Sequence, residues 1–198
     1  KEITVDSVAY SVFHYAKNDF FLRQLDHLGD TLRYLITDVV NEFDGVTYPL
    51  ICADIPDHLK LAVFQALANH VGLPESITIF MRRSPAGVPC PHQVHSDASM
   101  GEYSLMLYLN QEEDCDGGTS FLSHRQTGIA YNPEDPISTS IIVNDQNNDA
   151  AWQVREMVEM RPNRAVIFDA ARLHRSEPVG GFGDTPDNTR IVLTCFFS

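Results

Sequence analysis

Basic residues are scarce in this sequence. Fourteen Lys and Arg stand against 27 Asp and Glu, a formal net charge of −13. A field of that sign repels polyanions and argues against sequence-independent nucleic-acid binding through phosphates. Cysteine is sparse too. Cys52, Cys90, Cys115 and Cys195 are widely scattered and form no CxxC pair, which argues against a zinc knuckle and for free thiols in a reducing cytoplasm. No apolar run reaches the length of a membrane span. No signal-peptide pattern follows Lys1 and Glu2, and there is no internal repeat, low-complexity tract or long linker. What is left is one compact domain over 1–198, long enough to bury a sizeable core.

Two patterns divide that domain. In 1–75 the signal is mainly helical. "NDFFLRQLDHLGDTLRYLITDVVNEF" spaces Phe21, Leu25, Leu28, Leu32, Leu35 and Val39 by three or four, one face of a helix or of two broken near Gly29. Asp57 can cap a second helix, "HLKLAVFQALANHV", which Gly72 and Pro74 end. In 76–198 the pattern turns to strands: "SITIFMRR", "YSLMLYLN", "WQVREMVEM", "RAVIFDA" and "RIVLTCFF", separated by Pro and Gly clusters. Short strands without intervening helices predict an α+β chain with a mainly β core. That core is an antiparallel double-sheet jelly roll braced by N-terminal helices.

The stretch "HQVHSDASMGEYSLMLYLN", His92 to Asn110, carries the first chemistry. On extended backbone, residues i and i+2 face the same way, so His95 and Asp97 can grip one ion together. His92 competes with His95 for that role. A mid-row metal needs a third ligand, and His174, just past the apolar strand of "RAVIFDAARLHRSEPV", is the best candidate. Two His and one carboxylate form the facial triad of non-haem Fe(II) oxygenases. HxD by itself is as much the mark of a polar surface loop.

Arg190 adds a second feature. It opens the strand "RIVLTCFF", where an inward guanidinium calls for an anion. Its planar fork fits a carboxylate bidentately. Beside an Fe(II) triad this points to a dicarboxylate cosubstrate, with one end on iron and the other on Arg190. Arg172 and Arg175 are the alternatives, because the long segment "GGFGDTPDNT" separates His174 from Arg190.

The order HxD, "LYLN", "DGGTSF", "RPNRAVIFDAARLHRSEPV", then Arg before a final apolar strand, resembles the Fe(II)/2-oxoglutarate dioxygenases over roughly residues 78 to 197. The nearest branch is the prolyl-4-hydroxylase-like one. The resemblance implies a double-stranded β-helix with Fe(II), 2-oxoglutarate and O2 as cofactor and cosubstrates. It makes His95, Asp97 and His174 the iron ligands and Arg190 the partner of the distal carboxylate of 2-oxoglutarate. It adds Tyr108 as a hydroxyl supporting that carboxylate, Gly117-Gly118-Thr119 as the turn into the next strand, and Phe168 as a core aromatic. It also implies a hydroxylase, because Asp97 fills the position that related halogenases leave to halide. The expected substrate is an amino acid, a peptide or protein side chain, or another small molecule.

Three parts of the chain depart from the family pattern or stay open. Residues 128–152 are long enough for a lid or substrate loop. The 180–189 segment is longer than usual. Arg82 and Arg83 stand on the early strand where a tyrosine is common, and either can read an acidic substrate. Two other classes fit a jelly roll: a non-catalytic binding or sensor module, and a cupin-like metalloenzyme that uses His92 or His124 as an extra ligand and no 2-oxoglutarate.

Overall fold

The computed structural model describes residues 2–5, 8–14, 37–40, 47–52, 55, 57–70, 72–88, 90–185 and 188–198. In chain order the elements are β1 (Glu2–Val5), β2 (Val8–His14), β3 (Thr37–Val40), β4 (Thr47–Cys52), α1 (Asp57–His70), β5 (Ile77–Ser84), β6 (Tyr103–Tyr108) and β7 (Gly118–His124). They continue with α2 (Pro136–Asp145), β8 (Trp152–Glu159), β9 (Arg164–Asp169), β10 (His174–Glu177) and β11 (Arg190–Phe197). The five strands read from the sequence after residue 75 are present, as is the helix beginning at Asp57. The predicted helical face over 18–43 falls mostly outside the described residues. Its Thr37–Val40 portion is a strand, where the β-branched Thr37, Val39 and Val40 suit a pleated surface better than a helix. With β1, β2 and β4, the described part of 1–75 therefore holds four strands and one helix, and the mainly helical reading of that region is corrected to this extent.

Every strand pairing among the described residues is antiparallel. Eight strands form one sheet in the order β1-β2-β9-β6-β11-β5-β4-β3, and three form a second in the order β10-β7-β8. The period-2 rule sorts the residues of the large sheet onto two faces. Leu105, Leu107, Ala165, Ile167, Leu193, Cys195 and Phe197 point one way and pack with Val63 and Leu67 of α1. Tyr108, Val166, Phe168 and Val192 point the other way and meet Phe121, Val158 and Met160 of the small sheet. The second cluster is the interior of a jelly roll. Its inward-facing row carries the polar groups described below.

The small sheet's outer face is covered by the 128–152 segment. Ile142 of α2 packs there with Val94, Leu122, Trp152 and Leu173. This stretch is therefore a brace on the back of the sheet. Asp135 caps α2 by accepting from Ile137 N and Ser138 N at 3.0 Å, with Pro136 in the first turn.

Candidate functional site

Two adjacent backbone segments bring the HxD pair to His174. His95 and His174 form an antiparallel bridge in which each N–H donates to the other's carbonyl, at 3.1 and 2.9 Å. Since His174 is in register with Phe121 of β7, and Phe121 points into the barrel, both imidazoles face the interior. Their ring centroids are 4.4 Å apart. Asp97 is held by its N–H to Ala170 O at 2.7 Å. Its Oδ2 lies 3.3 Å from His174 Nε2 and its Oδ1 3.7 Å from His95 Nε2.

One donor atom from each of His95, Asp97 and His174 lies within 4.8 Å of the others, the only such trio of His, Cys, Asp or Glu among the described residues. The neighbouring bonds prepare these atoms for a metal. His174 Nδ1 meets Arg172 O at 2.9 Å and His95 Nδ1 meets Gln93 O at 3.2 Å. A carbonyl accepts only from N–H, so both rings carry their proton on Nδ1 and leave a lone pair on Nε2. His174 is fully buried and its Nε2 makes no hydrogen bond. A buried lone pair without a partner is costly, and a divalent metal there removes that cost. The donor set, nitrogen, nitrogen and carboxylate oxygen, suits Fe(II).

Charge is tuned in the same direction. Burial and the neighbouring His174 push the His95 imidazole down to about 4. Burial alone would raise the Asp97 carboxyl, but His174, His95 and the Ser104 hydroxyl bring it down to about 2. Both groups are thus in their ligating forms at neutral pH. The His95 value sets an expected result for metal-free protein. Between pH 6.5 and 4 the unfolded chain takes up a proton at this position and the folded chain does not, so stability falls as pH drops through that window. Thermal unfolding of chelator-treated protein between pH 7 and 4 measures the slope, and His95→Gln flattens it. An unchanged slope in the variant would refute the assignment.

Ser104, on the inward face of β6, donates to Asp97 Oδ2 at 2.8 Å. Residues that orient a metal ligand in this way typically contribute 10–100-fold in metal affinity. Ser104→Ala is therefore expected to weaken Fe(II) binding by about tenfold or more. Fluorescence or calorimetric titration reads this directly, and an unchanged affinity would remove Ser104 from the site.

The segment that carries His95 is also tied to the brace. Val94 N donates to Gln146 O at 3.0 Å, His92 Nδ1 meets Gln146 Oε1 at 2.8 Å, and Gln93 N donates to Asn147 Oδ1 at 3.1 Å. His92 is thereby turned to the brace, and His124 sits behind the small sheet between Thr127 Oγ1 (3.0 Å) and Asp145 Oδ2 (3.1 Å). Neither joins the metal trio.

Arg190 lies deeper in the same interior. It opens β11 opposite Ser84 of β5, is 4% exposed, and has its guanidinium carbon 5.9 Å from the Tyr108 ring. Its Nη2 reaches Gly118 O at 3.5 Å and its Nε has no hydrogen-bond partner. Among the described residues no carboxylate forms an ion pair with it. Burial pulls its pKa down, but a guanidinium keeps its proton in proteins. A buried cation in this state calls for an anion from outside. Tyr108 is fully buried, with its hydroxyl donating to Thr119 Oγ1 at 2.8 Å. Gly117 and Gly118 make that wall possible. Both have positive φ, and a Cβ on either would lie within 2.1 Å of a backbone oxygen.

The long 180–189 segment does not displace Arg190. Phe182 N donates to Ser84 O at 3.1 Å, Arg190 N to Phe182 O at 3.4 Å, and the Phe182 ring joins the interior cluster. The alternatives lie elsewhere. Arg175 pairs with Asp149 and with Glu177, and Arg172 pairs with Glu156 at 3.5 Å. Of the early-strand pair, Arg82 is in register with inward-facing Val192, and its charge lowers both His95 and Arg190. Arg83 faces away and donates to Thr189 Oγ1 at 3.1 and 3.2 Å.

Sequence reasoning missed Ser104 and Glu156, placed Thr119 only in a turn, and offered Arg172 only as an alternative to Arg190. The alternation Ser104, Met106, Tyr108 along one strand face carried the signal for the first.

Comparison with known proteins accords with this geometry. The family model described as "2OG-Fe(II) oxygenase superfamily" matches residues 88–198. No curated protein sequence matches the chain. Among solved structures, a Pseudomonas putida prolyl-4-hydroxylase is similar with a TM-score of 0.56 at 18% identity, covering 95% of this chain and 91% of that one. A prolyl hydroxylase from Trichoplax adhaerens, in complex with a hypoxia inducible factor oxygen degradation domain peptide fragment, is similar with a TM-score of 0.58 at 12% identity, covering 95% and 82%. AviO1 from Streptomyces viridochromogenes Tue57 gives 0.56 at 13% identity, covering 94% and 89%.

Proposed function

The chain belongs to the 2OG-Fe(II) oxygenase superfamily, and from that membership we propose that it hydroxylates an unactivated C–H of an amino acid, a peptide or protein side chain, or another small molecule. In this reading His95, Asp97 and His174 are the iron ligands, Arg190 holds the distal carboxylate of 2-oxoglutarate, and Tyr108 lines that end of the pocket. The prolyl-4-hydroxylase-like branch is part of the reading. The observation that carries it is the pairing of the three-ligand cluster with a buried guanidinium on the same inward face. No helix among the described residues is long and apolar enough to cross a membrane. A reducing cytoplasm belongs to the reading and rests on the scattered thiols.

The enzyme is an Fe(II)- and 2-oxoglutarate-dependent dioxygenase. When bound, iron and 2-oxoglutarate supply the oxidising chemistry: 2-oxoglutarate, O2 and R–H give succinate, CO2 and R–OH. The chain's own residues orient and exclude. His95 and His174 present Nε2 lone pairs fixed by their Nδ1–H bonds. Ser104 directs one carboxylate oxygen of Asp97. Phe168 stands edge-on 4.7 Å from the His174 ring, and Phe121, 5.0 Å from Phe168, helps to keep water from the interior. The Asp97 carboxylate favours hydroxylation over halogenation. The outward settings of His92 and His124 weigh against a cupin-like ligand set.

The test is stoichiometric. Purified enzyme with Fe(II) and 2-oxoglutarate is expected to release succinate and take up O2, with little turnover when Fe(II) is withheld. Bound iron without any 2-oxoglutarate consumption across a broad substrate screen would overturn the reading.

A further inference from the structure

The row of side chains that holds the metal ligands continues across the small sheet. His95 bridges His174, His174 is in register with Phe121, and Phe121 is in register with Glu156. All four face the barrel interior. A β-bulge between Phe121 and Leu122 breaks the register just beyond Glu156. Arg172, two residues before His174, lays its guanidinium 4.0 Å over the Phe121 ring and brings Nη2 to 3.5 Å from Glu156 Oε2. The side chains of Arg172 and Glu156 are only 7% and 15% exposed. Glu156 belongs to the metal row itself, while Arg172, which precedes His174 on a segment antiparallel to β7, lies on the side of that row away from Gly118. Arg190 contacts Gly118 and Tyr108 contacts Thr119, both further along β7 in the opposite direction. Arg172 thus stands on the side of the metal ligands away from Arg190, and Glu156 beside them.

A buried ion pair is a poor way to gain stability, since desolvation consumes most of its attraction. This one is also loose, at an ion-pair distance beyond hydrogen-bond length. Phe121 fixes the plane of the guanidinium. One cation and one anion, held side by side and facing inward, are the complement of an anion and a cation carried on neighbouring atoms.

We propose that Arg172 and Glu156 form a specificity-determining pair that receives the carboxylate and ammonium of a free α-amino acid, and that the substrate is such a zwitterion rather than a residue within a chain. The proposal rests on the oxygenase reading and narrows its substrate class. A peptide would bring at most one of the two charges to a given residue and leave the other member of the pair without its complement. Discrimination therefore comes from desolvation of an unmatched charge as much as from contact.

Equilibrium binding tests it without turnover. Zn(II)- and 2-oxoglutarate-loaded protein is titrated calorimetrically with the twenty free L-amino acids, then with the N-acetyl and C-amide forms of whichever binds. At least one free amino acid is expected to bind, with each blocked form weaker by about thirtyfold, the usual cost of removing one partner of a buried charge pair. Arg172→Gln is expected to lose the penalty for the amide and Glu156→Gln the penalty for the acetyl form. Arg172→Met/Glu156→Leu removes both charges together, so that no lone charge is buried, and loses both penalties. Binding of no amino acid, equal binding of blocked forms, or an unchanged penalty in the double variant would each overturn the proposal. A penalty for the amide alone in the wild type, with acetyl forms bound as well as free ones, would overturn it in favour of a simple acid. Failure of the oxygenase reading is seen separately, as absence of 2-oxoglutarate consumption with Fe(II).

Discussion

His174→Ala is expected to abolish oxygenase activity and to lower Fe(II) affinity by more than about a hundredfold, beyond the range for a residue that merely supports a ligand. The argument begins with position. His174 has no exposed surface, and its Nε2 faces Asp97 at 3.3 Å without a hydrogen bond. Its Nδ1 is committed to Arg172 O, so the ring has one free function, a lone pair open to a metal. Alanine leaves a two-ligand site of His95 and Asp97, too few for a mid-row metal at useful affinity. The fold should survive, because the backbone bridge between His95 and His174 uses main-chain atoms only. Circular dichroism with metal analysis distinguishes the cases. A folded variant that still binds Fe(II) like wild type would remove His174 from the site.

Arg190→Met is expected to raise the 2-oxoglutarate requirement by about thirtyfold or more while leaving Fe(II) affinity near wild type, since truncating one partner of a buried charge pair costs about 2–5 kcal/mol. Methionine preserves much of the packing against Tyr108, so lost charge dominates over lost volume. Removing an uncompensated buried cation should also leave the cosubstrate-free protein no less stable, and raise its Tm if the change acts alone. This combination separates the role of Arg190 from a structural one, which would lower Tm instead. Measuring Kd for 2-oxoglutarate and Tm on the same preparations reads both effects.

Much of this was legible in the sequence where local pattern and tertiary environment agree. The strand runs 103–108, 164–169 and 190–197 are buried on both faces, so their continuous apolar character survived into the fold. His95, Asp97, His174 and Arg190 could be picked out because a polar group set in or beside such a run needs a reason to be there. The 128–152 stretch was not legible as a brace. Its helix is short, and only the Asp135-Pro136 cap announces it. Val39 misled because a spacing of three and four can arise by chance in an apolar strand. Glu156 was hidden by the bulge beside it, since a one-residue shift in register exchanges the two faces of a strand and no local signal sets that shift.

The central claim is that one inward face holds both an Fe(II) site and the anchor for 2-oxoglutarate. Anaerobic titration of metal-free protein with Fe(II), then with 2-oxoglutarate, tests it most directly. A weak visible metal-to-ligand charge-transfer band should appear on adding 2-oxoglutarate, be absent in His174→Ala, and need far more 2-oxoglutarate in Arg190→Met. Bound iron with no such band at saturating 2-oxoglutarate would contradict the account.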